Sequence, residues 1–320
     1  ATLWTPSKLD RRTRFGPEAV TTVLETGAFD PLLGKSHFQL AMESRSQHRS
    51  QDMGTRRPLG PRASNLALLN STVASSEGTE DSFFAGVDTT FVALAAALPE
   101  PTAGEVAGAL RGYAQAIQSA KEELDALQPW AVTPYLTEAF GILESVRGML
   151  GERRDTELGR VLRDRVSLLD EAILASRGVV VDVRLEDDLL VPGEGLEAVA
   201  EVWNGGPEPL LGVEASLEVP RGWTVAVEEG EGSVDIPPGG IARWRFALQV
   251  APAASLSRPY FLESPRDGET YRWPDDPALW GRPGNGPRVY GRIRLGIEGG
   301  TRLHLHRVAL FKGVDKATGE

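Results

Sequence analysis

The feature that most constrains this sequence is a change of hydrophobic period at Val179. From about residue 101 up to that point, apolar residues recur every three or four positions, which is the spacing of amphipathic helices. After it, apolar and polar residues alternate in short runs separated by Gly and Pro turns, which is typical of strands. A helical part is therefore followed by a β part, and 320 residues are enough for two or three domains.

Three apolar stripes predict three helices within residues 101–177. The first runs from Val106 to Leu127 and ends before Pro129. The second covers Leu136–Leu150, and the third covers Leu158–Ile173 with Gly178 closing it. Because the connections between them are short, we predict an antiparallel three-helix bundle.

Residues 178–320 have the pattern of an antiparallel, immunoglobulin-like β-sandwich. Short alternating runs are separated by turn signals at intervals of about 8–12 residues, as such sandwiches require. The last two predicted strands are Arg292–Ile297 and Arg302–Phe311. A long loop, Glu263–Gly286, precedes them and is rich in Pro, Gly and aromatic residues.

Residues 1–100 are predicted to be mostly irregular, since turn formers recur and regular periodicity is weak. The exceptions are a possible short strand at Val20–Leu24 and a helical periodicity over Ser36–Arg45. The segment nevertheless contains many large apolar residues, including Phe29, Leu32, Leu33 and Phe84. An irregular segment of this length needs a surface to pack on. We therefore expect it to contact a missing domain or another subunit. The whole chain is predicted as an α+β multidomain protein with regions 1–100, 101–177 and 178–320.

Composition excludes several classes of function. The chain has no cysteine, which rules out disulfides and thiolate metal sites. A net charge of −11 argues against a broad surface for nucleic acid. No apolar run approaches the roughly 18 residues needed to span a bilayer, so we predict no membrane span.

Two stretches resemble a known family. The first, 44–54, contains His48-Arg49-Ser50-Gln51 and resembles the last motif of the LmbE/PIG-L deacetylase domain. The second comprises Arg258–Leu262 and Tyr271–Pro277, and is similar to the region that follows a NEW3-like β-sandwich in large multidomain members of that family. The order of deacetylase tail, helical segment and sandwich covers nearly the whole chain.

The resemblance implies a parent enzyme that is a zinc-dependent N-acetylglucosaminyl deacetylase. That family binds zinc through a His-Pro-Asp-Asp type motif, which is absent here. We therefore expect no cofactor and no catalytic residue in this chain, with zinc belonging to the parent family. The sequence begins at Ala1 without an initiator Met, and relatives are expected to continue beyond Glu320, so we expect a piece of a longer product. The sequence leaves the compartment open, and an extracytoplasmic location, periplasmic or secreted, is the favoured expectation.

Three groups of residues are candidate sites. The motif remnant His48, Arg49, Ser50 and Gln51 would lie near the parent active site, or would only hold loops together. His304 and His306 lie two apart on a predicted strand and share a face, which is a weak metal candidate or a solvated surface. An aromatic and acidic loop is a candidate glycan site or a packing device; its residues are Tyr271, Trp273, Asp275, Asp276 and Trp280.

These observations support three functional hypotheses. In the first, the chain is a non-catalytic accessory region of a deacetylase-like protein, acting as a spacer and as a module that binds a partner or glycan. In the second, it is one piece of an active zinc-dependent deacetylase of N-acetyl sugars whose catalytic domain lies elsewhere. In the third, it is a structural subunit of an extracellular assembly.

Overall fold

The chain is a mixed α/β protein. The computed structural model describes residues 6–13, 19–51, 60, 62–73, 78–151, 156–230, 232–276, 279–297 and 299–311. The fold divides into two compact units, Ala1–Ala93 and Leu94–Glu320. The predicted helical and β regions both fall in the second unit, and the predicted three-part division stays a prediction.

The first unit contains more regular structure than the sequence predicted, although the helical periodicity over 36–45 and the possible strand over 20–24 do coincide with a helix and a strand. A three-stranded antiparallel sheet has the order β1-β5-β2, formed by Lys8–Arg12, Ala63–Ser71 and Thr22–Glu25. A small hairpin of β3 (Phe29–Asp30) and β4 (Lys35–Ser36) leads into helix α1 (His37–Ser46). The sheet was missed because its central strand, β5, pairs with strands far away in the sequence, whereas periodicity reports only local order.

The first unit has a charged centre. Lys8 donates to the Glu80 carboxylate at 2.6 Å, and Thr22 donates to the same oxygen at 3.4 Å. The Asp10 carboxylate is buried without a hydrogen-bond partner, and burial raises its pKa. Among the described residues up to Ala93, Ala67 is the one apolar side chain that is fully buried. The described part of this unit therefore has no hydrophobic core comparable with that of the second unit.

The second unit begins with three long helices in the region where the apolar stripes predicted them. They are α2 (Thr102–Glu122), α3 (Thr133–Leu150) and α4 (Glu157–Ser176). Helix α3 packs against both α2 and α4. The stripes supply fully buried residues on each helix, such as Leu110, Leu143 and Ile173. The three-helix bundle as a closed arrangement stays a prediction.

Two antiparallel sheets follow and together form a sandwich-like domain. The four-stranded sheet has the order β10-β8-β12-β13, and the five-stranded sheet has the order β14-β6-β7-β11-β9, in which only β14 runs parallel to its neighbour. Their strands are β6 (Val179–Leu185), β7 (Gly195–Asn204), β8 (Leu210–Glu218), β9 (Thr224–Glu229), β10 (Val234–Ile236), β11 (Ile241–Gln249), β12 (Tyr290–Gly296), β13 (Arg302–Val308) and β14 (Leu310–Phe311).

The two sheets face each other across a buried apolar layer. Gly291 on β12 lies so close to Val183 on β6 that a Cβ atom there would sit 2.5 Å from a valine methyl. The last predicted strand is divided at Ala309, because β13 belongs to the four-stranded sheet and β14 to the five-stranded one. An immunoglobulin-like topology stays a prediction.

The junction between α4 and the sandwich is tightly built. Arg177 follows α4, its side chain is nearly buried, and it donates to the Glu208 carboxylate and to the Pro209 carbonyl oxygen. Gly205 and Gly206 lie against the backbone of 177–178, and a Cβ atom on Gly206 would overlap the carbonyl oxygen of Arg177. The helical layer is therefore fixed directly to the sheet at this point.

Candidate functional site

The loop between β11 and β12 is held in place by a few specific hydrogen bonds. Tyr260 begins a short 3-10 helix and is buried, and its hydroxyl donates to the Arg282 carbonyl oxygen at 2.7 Å. Asn285 joins the two ends of the loop. Its side-chain oxygen accepts from the Tyr260 N–H at 2.8 Å, and its amide nitrogen donates to the Arg258 carbonyl oxygen at 2.6 Å. The loop is thus anchored to the sandwich at both ends.

This loop carries a continuous row of five aromatic rings, which we call the aromatic row: Tyr260, Phe261, Tyr271, Trp273 and Trp280. Successive ring centroids lie 5.4, 6.3, 5.3 and 6.1 Å apart in that order. Tyr260 is buried at one end, whereas Tyr271, Trp273 and Trp280 are 42%, 47% and 54% exposed. The row therefore begins in the sandwich and ends as an exposed aromatic surface.

The outer part of the row is positioned by local contacts. Residues 267–270 form a tight turn, in which the backbone groups of Asp267 and Thr270 bond to each other at 3.0 Å in both directions. Tyr271 follows this turn directly. Further along, the Trp280 indole N–H donates to the Pro274 carbonyl oxygen at 2.8 Å. Asp275 and Asp276, both exposed, come directly after Pro274, so carboxylates and rings share one loop.

A cleft of about 770 Å³ opens between the two ends of this loop and the end of the sandwich. Residues 254–257 and 285–289 line it, together with the β6–β7 connection and β14. Asp187 and Asp188 are its carboxylates. The Leu189 N–H donates to Asp187 at 3.0 Å and holds the pKa of that carboxyl below its usual range. The cleft is thus largely apolar, with Asp187, Asp188 and Arg288 as its charged lining residues.

The outer faces of both sheets carry paired charges. Glu201 pairs with Arg184 and Arg243 on the five-stranded sheet, and Arg245 pairs with Glu197 and Glu229. Cross-strand ion pairs of this kind are typical of sheet faces that are exposed to solvent. The aromatic row is therefore the more distinctive surface of the second unit.

His304 and His306 lie on the exposed face of β13, as the sequence predicted. His306 is hydrogen-bonded to Glu218 at 2.8 Å and its ring stacks on Tyr290 with centroids 4.6 Å apart. The hydrogen bond from His306, and a second one from Arg292, hold the pKa of Glu218 low. The weak metal hypothesis stays a prediction. The described part of the chain contains no group of three or more His, Asp or Glu residues placed to hold a metal ion.

The motif remnant lies at the end of α1, in the first unit. His48 follows the helix, and Arg49, Ser50 and Gln51 form a 3-10 turn closed by the Gln51 N–H donating to the His48 carbonyl oxygen. All four residues are exposed. Residues 52–54 of the same motif segment lie outside the described residues. The other candidate residues all lie in the second unit, so no further candidate group accompanies the remnant in the described part of the first unit. Its predicted role stays a prediction.

Sequence reasoning missed part of the site. It selected Tyr271, Trp273 and Trp280, but not the two rings that connect them to the sandwich, Tyr260 and Phe261. It also missed Asn285, which closes the loop. The available signal was the Tyr-Phe pair just before a loop already rich in aromatic residues.

Comparison with known families finds a similarity in the middle of the sandwich. Residues 190–260 match the family described as the NPCBM-associated, NEW3 domain of alpha-galactosidase. This segment contains β7 to β11 and ends at Tyr260, the first ring of the aromatic row. No curated protein sequence matches the chain.

Solved structures show only weak likeness. A yeast GGA1 GAE domain is 11% identical, with 40% of this chain and 87% of that chain covered and a TM-score of 0.25. A GH20 exo-β-N-acetylglucosaminidase from Vibrio harveyi is 8% identical, with 43% of this chain and 19% of that chain covered and a TM-score of 0.21. A family 123 glycoside hydrolase from Clostridium perfringens is 10% identical, with 44% of this chain and 28% of that chain covered and a TM-score of 0.20. Scores this low carry no argument about this chain. No helix in the described residues is long and apolar enough to cross a membrane.

Proposed function

We propose that this chain is a non-catalytic, carbohydrate-associated region of a larger enzyme and that the aromatic row is its glycan-binding surface. The observation that carries the proposal is the exposure of Tyr271, Trp273 and Trp280 side by side on an anchored loop. Large exposed apolar groups in a contiguous patch mark binding surfaces in folded proteins. The match of residues 190–260 to a module named for an alpha-galactosidase adds support.

The chemistry of sugars suits this surface. A pyranose ring has a face of C–H groups, which packs against an aromatic ring, and a rim of hydroxyls, which need hydrogen-bond partners. Asp275 and Asp276 add two exposed carboxylates to the same loop. The site thus combines apolar stacking with polar acceptors, as small-ligand sites generally do.

A row of exposed aromatic rings also occurs in proteins that bind single-stranded nucleic acid, where bases stack on the rings. Those surfaces combine the rings with a strongly positive groove. Here the chain carries a net charge of −11, and Asp275 and Asp276 adjoin the rings. A sugar polymer without phosphates is therefore the better ligand for this surface.

The direct test is affinity electrophoresis of the chain in gels containing a panel of soluble polysaccharides. We expect at least one polysaccharide to retard the native chain, and Trp273→Ala to abolish the retardation. Trp130→Ala is the matched control, since Trp130 is 40% exposed but lies between α2 and α3. Equal retardation of Trp273→Ala and the native chain would contradict the proposal.

We further propose that residues 1–93 bind another domain or subunit of the larger protein. Phe29 and Leu32 are 65% and 93% exposed, and Leu9, Val23, Leu33 and Phe84 are all at least half exposed. Because the described part of this unit buries so little apolar surface, a partner that covers these side chains would add hydrophobic stabilisation that the unit lacks by itself.

The identity of the parent enzyme is a finer proposal. The segment around His48 favours a zinc-dependent deacetylase, whereas the name of the matched module favours a glycoside hydrolase. In either case we propose that this chain does not catalyse the reaction itself. The coding sequence next to this chain in its source genome would decide between them. An upstream His-Pro-Asp-Asp motif would support the deacetylase, and a glycoside hydrolase domain would refute it.

A further inference from the structure

We infer that the aromatic row binds one extended, neutral sugar chain over at least three consecutive units, and does not bind the flat face of a crystalline polymer. This inference rests on the proposed glycan-binding function and adds the form of the ligand. It follows from the spacing, tilt and anchoring of the rings.

The exposed rings extend over more than one sugar. The centroids of Tyr271 and Trp273 are 5.3 Å apart, and those of Trp273 and Trp280 are 6.1 Å apart. Rings at these separations and tilts contact one another, so they form one continuous aromatic patch. A single terminal sugar would leave most of this patch uncovered, whereas a chain of linked sugars can extend along it.

The tilt of the rings excludes a flat ligand. The planes of Tyr271 and Trp273 are inclined by 61°, and those of Trp273 and Trp280 by 48°. A crystalline polymer presents coplanar sugar faces, which require rings that are nearly coplanar with one another. A single chain in solution can rotate about its glycosidic bonds and place each sugar on a differently oriented ring.

The rings are held in place before the ligand arrives. The Trp280 indole is fixed by its hydrogen bond to Pro274, Tyr271 follows a tight turn, and the base of the row is the buried Tyr260. Binding groups that are already ordered lose little side-chain entropy when the ligand binds. The geometry of the free loop therefore predicts the geometry of the bound chain.

The charges that flank the rings in sequence favour a neutral chain over a polyanionic one. Arg272 lies between Tyr271 and Trp273, and Asp275 and Asp276 follow Trp273. A polyanionic glycan would be repelled by the two carboxylates and by the net charge of −11. A neutral glycan uses both kinds of group as hydrogen-bond partners through its hydroxyls.

The test is isothermal titration of the full chain with neutral linear oligosaccharides of increasing length, from two to six units, with gluco-, manno-, xylo-, galacto- and N-acetylglucosamine backbones. Parallel pull-downs use microcrystalline cellulose and chitin powder. Variants are Trp273→Ala at the centre of the row, Trp280→Ala at its exposed end, and Trp130→Ala as the control.

We expect affinity to rise with length and to level off only after three or more units, with no retention on the crystalline powders. Trp273→Ala should weaken binding at every length by roughly tenfold or more. Trp280→Ala should weaken binding of the longer oligomers and leave the shortest unchanged. Affinity that does not depend on length, or retention on the crystalline powders, would overturn this inference while leaving glycan binding intact. Absence of binding to every oligosaccharide and powder would overturn both.

Discussion

Single residues decide how the second unit is joined. Gly206 lies where the β7–β8 turn meets the end of α4, and only the absence of a side chain allows the two backbones to approach. Arg177 then fills the same junction with a nearly buried guanidinium that bonds to Glu208. The connection between the helices and the sandwich thus depends on the missing side chain at Gly206 and on the nearly buried charge of Arg177.

Gly206→Ala should therefore destabilise the second unit. The new Cβ would overlap the Arg177 carbonyl oxygen, so the turn or the helix end must move, at a cost of about 2–4 kcal/mol. Chemical denaturation monitored by tryptophan fluorescence measures the change. Gly148→Ala is the control, because nothing lies within 4 Å of a Cβ there and the helical position favours alanine. Equal stability of the Gly206→Ala variant and the native chain would contradict the account of the junction.

Asp170 on α4 makes stability depend on pH. Burial raises the pKa of this carboxyl from 3.8 to about 7. The nearby carboxylates of Glu144 and Glu171 also raise the pKa, whereas the positive charges of Arg307 and Arg147 lower it. Because the folded pKa is the higher one, the carboxyl contributes most to stability when protonated, below about pH 4. That contribution is lost as the pH rises through about 7.

Asp170→Asn should accordingly be more stable than the native chain at pH 8, by about 1–2 kcal/mol after allowance for partial solvent exposure. The difference should shrink as the pH falls and vanish near pH 4. Thermal unfolding from pH 4 to pH 8 is the measurement. A stability difference that does not change with pH would show that Asp170 does not titrate in this range.

Among the elements, the loop after β11 is held in its conformation by hydrogen bonds between its two ends and by contacts among its aromatic rings. Asn285 uses both ends of its side-chain amide to join 258–260 to 285. The described residues of the loop contain little regular structure apart from a 3-10 helix at Tyr260–Leu262. Its conformation therefore depends on a few side chains, and removing one of them should change function more than stability.

Asn285→Ala should loosen the loop, with increased hydrogen exchange across 258–285 and unchanged protection in β7 and β11. Glycan affinity should fall because the rings are no longer fixed in advance. Hydrogen exchange with mass spectrometry provides the readout. Asn65→Ala, which removes an asparagine side chain from the first unit, is the comparison variant. In that variant we expect residues 258–285 to exchange as they do in the native chain. Unaltered loop exchange in Asn285→Ala would contradict this anchoring role.

Elements differed in how well the sequence predicted them. The helices were predicted because Leu110, Leu143 and Ile173 belong to local apolar stripes that the fold buries. The sheet of the first unit was not predicted, because β1 and β5 pair across a long stretch of chain. The outer rings of the aromatic row were found as an aromatic-rich loop. Their continuity with Tyr260 depends on Asn285, a tertiary contact that composition does not reveal.

At the scale of the whole molecule, the two units differ in their source of stability. The second unit has an extensive core, with Trp244 and Phe246 almost completely buried between the sheets. In the described part of the first unit, the buried centre is instead the pair Lys8–Glu80 with Asp10 beside it. A buried ion pair contributes little net stability, since its attraction is offset by desolvation.

Deletion of residues 1–93 should therefore leave a folded, monomeric protein with an unchanged unfolding midpoint for the second unit. The full chain should associate through the exposed side chains of the first unit. Light scattering and thermal unfolding of both proteins measure these properties, and Leu32→Ser with Phe29→Ser in the full chain should reduce association without deletion. A full chain that is monomeric at all concentrations and binds no other domain would contradict the proposed partner surface.

A nuclear magnetic resonance titration of the tryptophan indole N–H signals with a soluble neutral oligosaccharide would locate the glycan-binding surface directly. The chain has seven tryptophans, so those outside the aromatic row serve as internal controls. We expect the signals of Trp273 and Trp280 to shift on binding, while those of Trp130, Trp203 and the buried Trp244 stay in place. Shifts at Trp130 or Trp203 with none at Trp273 and Trp280 would place the glycan elsewhere and contradict the account.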